Sequence, residues 1–227
     1  MSTVKKLAIS TLAAAIFPVC ANAGIITIST SDNQVVSGVD NQGWWRQSIT
    51  NNNATNDNYI SRDGIRGYFS FDLGSVSGVV TAAKLEVRRY NTDSGAILNL
   101  WDVHTSASDL AQRQVVDSAI WNDLGTGSNY GSFTAGTGAS TDLMSFDLNA
   151  AALIDINAGL GSFFSIGTTS NGTHFGASSL EPGNSNTNYI QQLVLVTEDV
   201  SVSEPGTLAL LGLGLAGLGF SRKRKSA

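Results

Sequence analysis

The sequence predicts an all-β domain: an antiparallel β-sandwich of the jelly-roll type, with one or two short helices. Three observations carry this expectation. Short apolar alternations recur between stretches rich in Gly, Asn, Ser and Thr from Gly24 to Val200, the rhythm of many short strands joined by turns. The strands do not alternate with long helical patterns, as a parallel sheet would require. No fixed-period repeat appears.

The elements follow in order. "IITIST" reads as a first strand; "NQGWWRQ" (41–47) has two adjacent tryptophans, and if it is a strand Trp44 and Trp45 point to opposite faces. In "RGYFSFDLG", Phe69, Phe71 and Leu73 share one face and Tyr68, Ser70 and Asp72 the other. "GSVSG" (74–78) is a turn. Beyond it, Ala83, Leu85 and Val87 alternate with Lys84, Glu86 and Arg88. "AILNLWDV", "LMSFDLN", "SFFSIGTT" and "QQLVLVTED" repeat the pattern, with Trp101 expected in the core. "NAALIDINAG" predicts a helix with Asn149 as N-cap and Gly159 as its stop. A second short helix is expected within Ser108–Ile120.

The two ends of the chain are of a different kind. Lys5 and Lys6 precede a largely apolar run from Leu7 to Val19, and Ala21-Asn22-Ala23 offers a small-x-small site. This reads as a signal peptide over residues 1–23, cleaved after Ala23 so that the exported chain begins at Gly24. Near the other end, residues 208–220 form an uncharged run of 13, followed by Arg222, Lys223, Arg224 and Lys225. As a helix that run covers roughly 20 Å, short of the ~30 Å hydrocarbon core. A basic cluster of this kind stays cytoplasmic while the preceding chain is exported.

Val202-Ser203-Glu204-Pro205-Gly206-Thr207, the Gly-rich hydrophobic run and the basic cluster together resemble a PEP-CTERM sorting signal. Ser203 stands where that motif usually has its first proline. The resemblance implies a chain handled by an exosortase-type processing enzyme in a Gram-negative bacterium that makes exopolysaccharide. Glu204, Pro205 and Thr207 would form the sorting motif, with cleavage near Glu204-Pro205. The hydrophobic helix would hold the precursor only transiently in the inner membrane, before release to the cell envelope or extracellular matrix. The alternative is a simple tail anchor. The organisation expected is therefore a signal peptide (1–23), a sandwich domain (24–200) and a sorting signal (201–227: motif 202–207, hydrophobic segment 208–220, basic tail 221–227).

"RGYFSFDLGSVSGVVTAAKLEVRRY" also resembles the central stretch of DNRLRE-type domains, which are similar to carbohydrate-binding β-sandwich modules. That resemblance rests on strand pattern more than on chemistry. It implies the sandwich fold and a glycan as partner.

Composition narrows the functions further. Six of the 13 Lys and Arg lie in the two ends, against one of the 18 acids, so the domain between them carries a net charge of about −10. That disfavours nucleic acid as a partner and allows divalent cations. The one cysteine, Cys20, leaves with the signal peptide, which rules out thiol catalysis and disulfides in the exported domain. The histidines, His104 and His174, are 70 residues apart, with no His-Glu-x-x-His, Gly-x-Ser-x-Gly or phosphate-loop pattern. No catalytic residues are assigned, and the expectation is a protein that is not an enzyme.

Two stretches are candidate binding sites. "NNNATNDNYISRDG" (51–64) offers Asp57 and Asp63 as hard oxygen ligands on an expected loop. Calcium takes such ligands, although the EF-hand spacing is absent; Asn, Asp and Gly also simply make turns. Calcium is the one cofactor suggested. Of Trp44 and Trp45, one is expected in the core and the other at the surface, where an indole suits stacking on a sugar ring. Two packed indoles would serve burial instead.

Overall fold

The computed structural model describes residues 23–47, 58–89, 92–113, 115–139, 142–178, 180–181, 184–188 and 191–198. Residues Asn22–Asp199 form one compact unit. Its strands are β1 (Ala23–Ser29), β2 (Gln42–Arg46), β3 (Asn58–Ser61), β4 (Ile65–Asp72), β5 (Val79–Arg88), β6 (Ile97–Asp102), β7 (Asn129–Thr134), β8 (Leu143–Asp147), β9 (Phe163–Ser170), β10 (Phe175–Ser178), β11 (Leu180–Glu181), β12 (Asn184–Asn188) and β13 (Gln191–Glu198). The helices are α1 (Ala107–Leu110), α2 (Ser118–Asp123) and α3 (Ala150–Ala158).

A four-stranded sheet, ordered β1-β13-β5-β8, faces a five-stranded sheet, ordered β2-β4-β9-β6-β7. Two ribbons, β3-β10 and β11-β12, complete the set, and the pairings described are antiparallel. The fold is the all-β antiparallel sandwich that the alternations predict. Register explains the core. Phe69 lies opposite Ile166, and Leu85 lies between Leu193 and Phe146, so each sheet puts a continuous apolar row on its inner face. These residues belong to one buried cluster. With no disulfide available, that burial carries the stability, at roughly 1.5–3 kcal/mol per fully buried large side chain.

Helix α3 has the predicted ends. The Asn149 side chain accepts from the backbone N–H of Ala151 and Ala152, and Gly159 caps the C-terminus. Ala152 and Ile156 are fully buried against the core. The single short helix expected within Ser108–Ile120 is instead two. Ser106 caps α1 and Asp117 caps α2, each through a side-chain oxygen accepting backbone N–H groups. Both Asx and Ser caps start a new helix, which is why the chain breaks between them.

The expected loop over 51–64 also departs from the sequence reading. Its described part contains β3, paired with β10. Tyr59 is fully buried and stacks on Phe69 with ring centroids 4.2 Å apart. An aromatic payload of this size outweighs the turn propensity of its Asn-rich flank.

Candidate functional site

The outer face of the five-stranded sheet divides into a covered half and an open half. Trp45, Tyr68, Leu110, Ile120 and Leu124 form a second buried cluster, in which α1 and α2 lie over β2 and β4. Trp45 is 0% exposed and its indole N–H donates to the Leu110 carbonyl at 3.1 Å. Trp44, on the opposite face of the strand, is 6% exposed, with the Arg46 guanidinium 5.2 Å from its ring centre. The expectation that one of this pair is a surface indole is therefore corrected. Strand alternation does send them to opposite faces, but the α1–α2 cover buries the outward one. Neither offers a free face to a sugar.

Beyond this cover, toward β6 and β7, the outer face is polar and half-exposed. Leu98 and Leu100 point inward, so Asn99 and Trp101 point outward. Trp101 is thus half-buried on the outer face and not in the core, as strict period-2 counting from Leu98 and Leu100 requires. Its indole N–H donates to Thr169 Oγ1 at 3.0 Å. Ser132 Oγ donates to Asn99 Oδ1 at 2.6 Å across the β6–β7 pair. Thr169 also lines a small cavity of about 190 Å³ with Arg66 and Trp121. The half-exposed Trp101 indole, two hydroxyls and an amide therefore share one platform, with Trp121 at its edge beneath Arg66.

Arg66 ties this platform to α2. Its guanidinium lies 3.6 Å from the centre of the Trp121 ring, and Nη1 donates to the carbonyls of Trp121 and Asn122 at 2.9 and 3.0 Å. Burial lowers its pKa from the ordinary guanidinium value.

The remaining chemistry is structural in its contacts. Asp123 Oδ2 accepts from the backbone N–H of His104 and Thr105 and from the Thr105 hydroxyl. His104 itself is 83% exposed, 3.7 Å from Asp123. Tyr130 donates to Asp155 at 2.8 Å, and its burial, with the adjacent carboxylate, pushes its phenol pKa up. Glu86 accepts from Lys84 and Gln192, which hold its pKa below the usual range, Lys84 chiefly.

Of the residues singled out from the sequence, Ala23 and Gly24 open β1, with Gly24 opposite Thr197. Asp63 sits in the tight turn joining β3 to β4, where Arg62 and Ile65 exchange backbone hydrogen bonds. Asp57, the second oxygen ligand, lies outside the described residues, as do Ala21, Glu204, Pro205, Thr207 and the basic cluster Arg222–Lys225. Among the described residues, no group of three or more His, Asp or Glu is placed to hold a metal ion, and no helix is long and apolar enough to cross a membrane.

Residues 201–225 match the PEP-CTERM protein-sorting motif. Comparison with curated proteins gives no match to this chain. The motif marks the chain for exosortase processing, export and sorting to the cell surface.

Proposed function

We propose that this surface-sorted chain is a non-enzymatic β-sandwich that resides in the cell envelope or extracellular matrix and associates with exopolysaccharide. The sorting motif at residues 201–225 supports this reading, since it directs the chain to the cell surface. The signal peptide supplies export, with cleavage after Ala23, and the tail is cut near Glu204-Pro205. The inner membrane is then only a staging point. The contacts of Asp123, Tyr130 and Glu86 support a structural domain: each carboxylate or phenol is engaged in holding a loop or strand. Fractionation of the native bacterium tests this. The protein should co-purify with extracellular polymer and be released when that polymer is digested. Recovery solely from periplasm, or release of new reducing ends from the polymer by the purified protein, would contradict it.

A second reading, a carbohydrate-binding module with a defined glycan, is favoured by the half-exposed Trp101 beside Asn99, Thr169 and Ser132. An indole beside amide and hydroxyl groups suits a sugar ring. A glycan array with and without a calcium chelator separates the two readings and tests calcium at the same time.

A further inference from the structure

The domain's basic residues are few, and their placement is uneven. Arg46, Arg62 and Arg66 supply three of the seven between residues 24 and 200. They gather around two cavities that share the β3–β4 turn. Arg66 is consumed by Trp121 and α2. Arg46 makes a looser contact, 5.2 Å from the centre of the Trp44 ring, and Arg62 is exposed. Both meet at Ile65: Arg46 is its partner across the β2–β4 pair, and Arg62 closes the turn with it. Together with Gln47, Asp63 and Gly172, they line a cleft of about 580 Å³.

Neither arginine has an ion-pair partner among the described residues, although the cleft contains a carboxylate, that of Asp63. Arg46 is half-buried, with its Nε shielded from solvent and unpartnered. Two guanidinium groups on one cleft, without ion-pair partners among the described residues, offer charge-assisted donors to an anion. Arginine presents a planar fork that fits a carboxylate through two parallel hydrogen bonds.

We propose that this cleft binds the carboxylate-bearing sugars of an acidic polysaccharide. Arg46 and Arg62 receive the carboxylate, and Asp63 accepts from ring hydroxyls. The assignment deepens the polysaccharide reading above and rests on it. The coexistence of anion donors with a carboxylate acceptor decides for a uronate over a phosphate polymer. A sugar acid brings both a planar carboxylate for the arginine forks and hydroxyl donors for Asp63. The domain's net charge of about −10 opposes any polyanion at long range, so binding of a uronate rests on local pairing with the two arginines.

The experiment is calorimetric titration of the full chain, in mild detergent, with an oligogalacturonate. Matched runs use a neutral dextran oligosaccharide and single-stranded DNA of similar length. Arg62→Gln is the decisive variant, because Arg62 is exposed and removing its charge leaves the turn's backbone bonds intact. Arg46→Gln is the second. Each should weaken oligogalacturonate binding roughly tenfold or more, the worth of a charge-assisted hydrogen bond. Asp63→Asn should not strengthen DNA binding above that of the uronate, and the melting temperature of Arg62→Gln should be unchanged. Absence of oligogalacturonate binding overturns the proposal, as does equal binding by Arg62→Gln or DNA bound as tightly as the uronate. Dextran binding that is indifferent to both arginines overturns it too, while leaving the polysaccharide reading standing. Loss of polymer association in cells, with uronate binding intact in vitro, would instead sink that broader reading alone.

Discussion

Arg66 lies flat over Trp121, its guanidinium carbon 3.6 Å from the ring centre, while Nη1 donates to the Trp121 and Asn122 carbonyls. One strand residue thus holds the C-terminal end of α2 in two ways. It caps carbonyls that the last helical turn leaves unsatisfied, and it covers an indole that would otherwise be open. Those contacts keep α2 over the sheet, and that cover is what buries Trp45.

Replacing Arg66 should therefore loosen the cover more than a surface arginine would suggest. Arg66→Ala is expected to cost about 2–3 kcal/mol, from the cation–π contact and two charge-assisted hydrogen bonds. Arg66→Lys should recover only part of this, because an ammonium cannot stack and fork at once. Chemical denaturation measures both. A Lys variant as stable as the parent would mean that charge alone matters.

Gly167 marks a close approach of that cover to the sheet. A Cβ there would stand 2.7 Å from the Leu124 carbonyl oxygen and 2.8 Å from its Cα. These are backbone atoms, so no rotamer change relieves the clash. Gly167→Ala should destabilise by roughly 1–3 kcal/mol and shift tryptophan emission to the red as the cover lifts from Trp45. Unchanged emission and stability would show that α2 can move at no cost.

His174 gives the domain a pH dependence of known sign. Burial, then the nearby Arg62 charge, lowers its pKa below the ordinary 6.5, against the opposing pull of Asp93. The unfolded chain then takes up the proton more readily than the folded one. The stabilising contribution is full above about pH 6.5 and is lost as pH falls from there through the lower folded value. Denaturation midpoints at pH 7.5 and 5.5 should differ less in His174→Gln than in the parent. A parent difference no larger than the variant's would remove His174 from the account of acid sensitivity.

Much of the fold is legible from residue order because period 2 survives in nearly every strand. "RGYFSFDLG" and "AAKLEVRRY" alternate so strictly that the buried rows Phe69-Phe71 and Ala83-Leu85-Val87 follow directly. Helix α3 is legible from Asn149 and Gly159, its two caps. Trp45 is not, because its burial depends on α1 and α2, with its hydrogen-bond partner Leu110 65 residues along the chain, and no local pattern encodes that contact. Trp101 was available from the alternation of Leu98 and Leu100, but its size argues for the core more loudly than its position argues against it. The Arg46–Arg62 cleft is invisible to sequence reading, since only the β2–β4 register and the turn at Asp63 bring those residues around Ile65. The sorting motif, by contrast, is a linear signal and is read from residue order alone.

The most direct test of the sorting account is peptide mass spectrometry on the surface fraction of the native bacterium. If the tail is a processed signal, the mature protein should begin at Gly24 and contain no peptide from Leu208–Ala227. Processing is expected because a run of only 13 apolar residues, with five glycines from Gly206 to Gly219, would hold poorly in a bilayer. Replacing Glu204 and Pro205 by Ala should leave full-length precursor in the inner membrane. A surface form that retains Leu208–Ala227 intact would contradict processing and make the segment a permanent anchor.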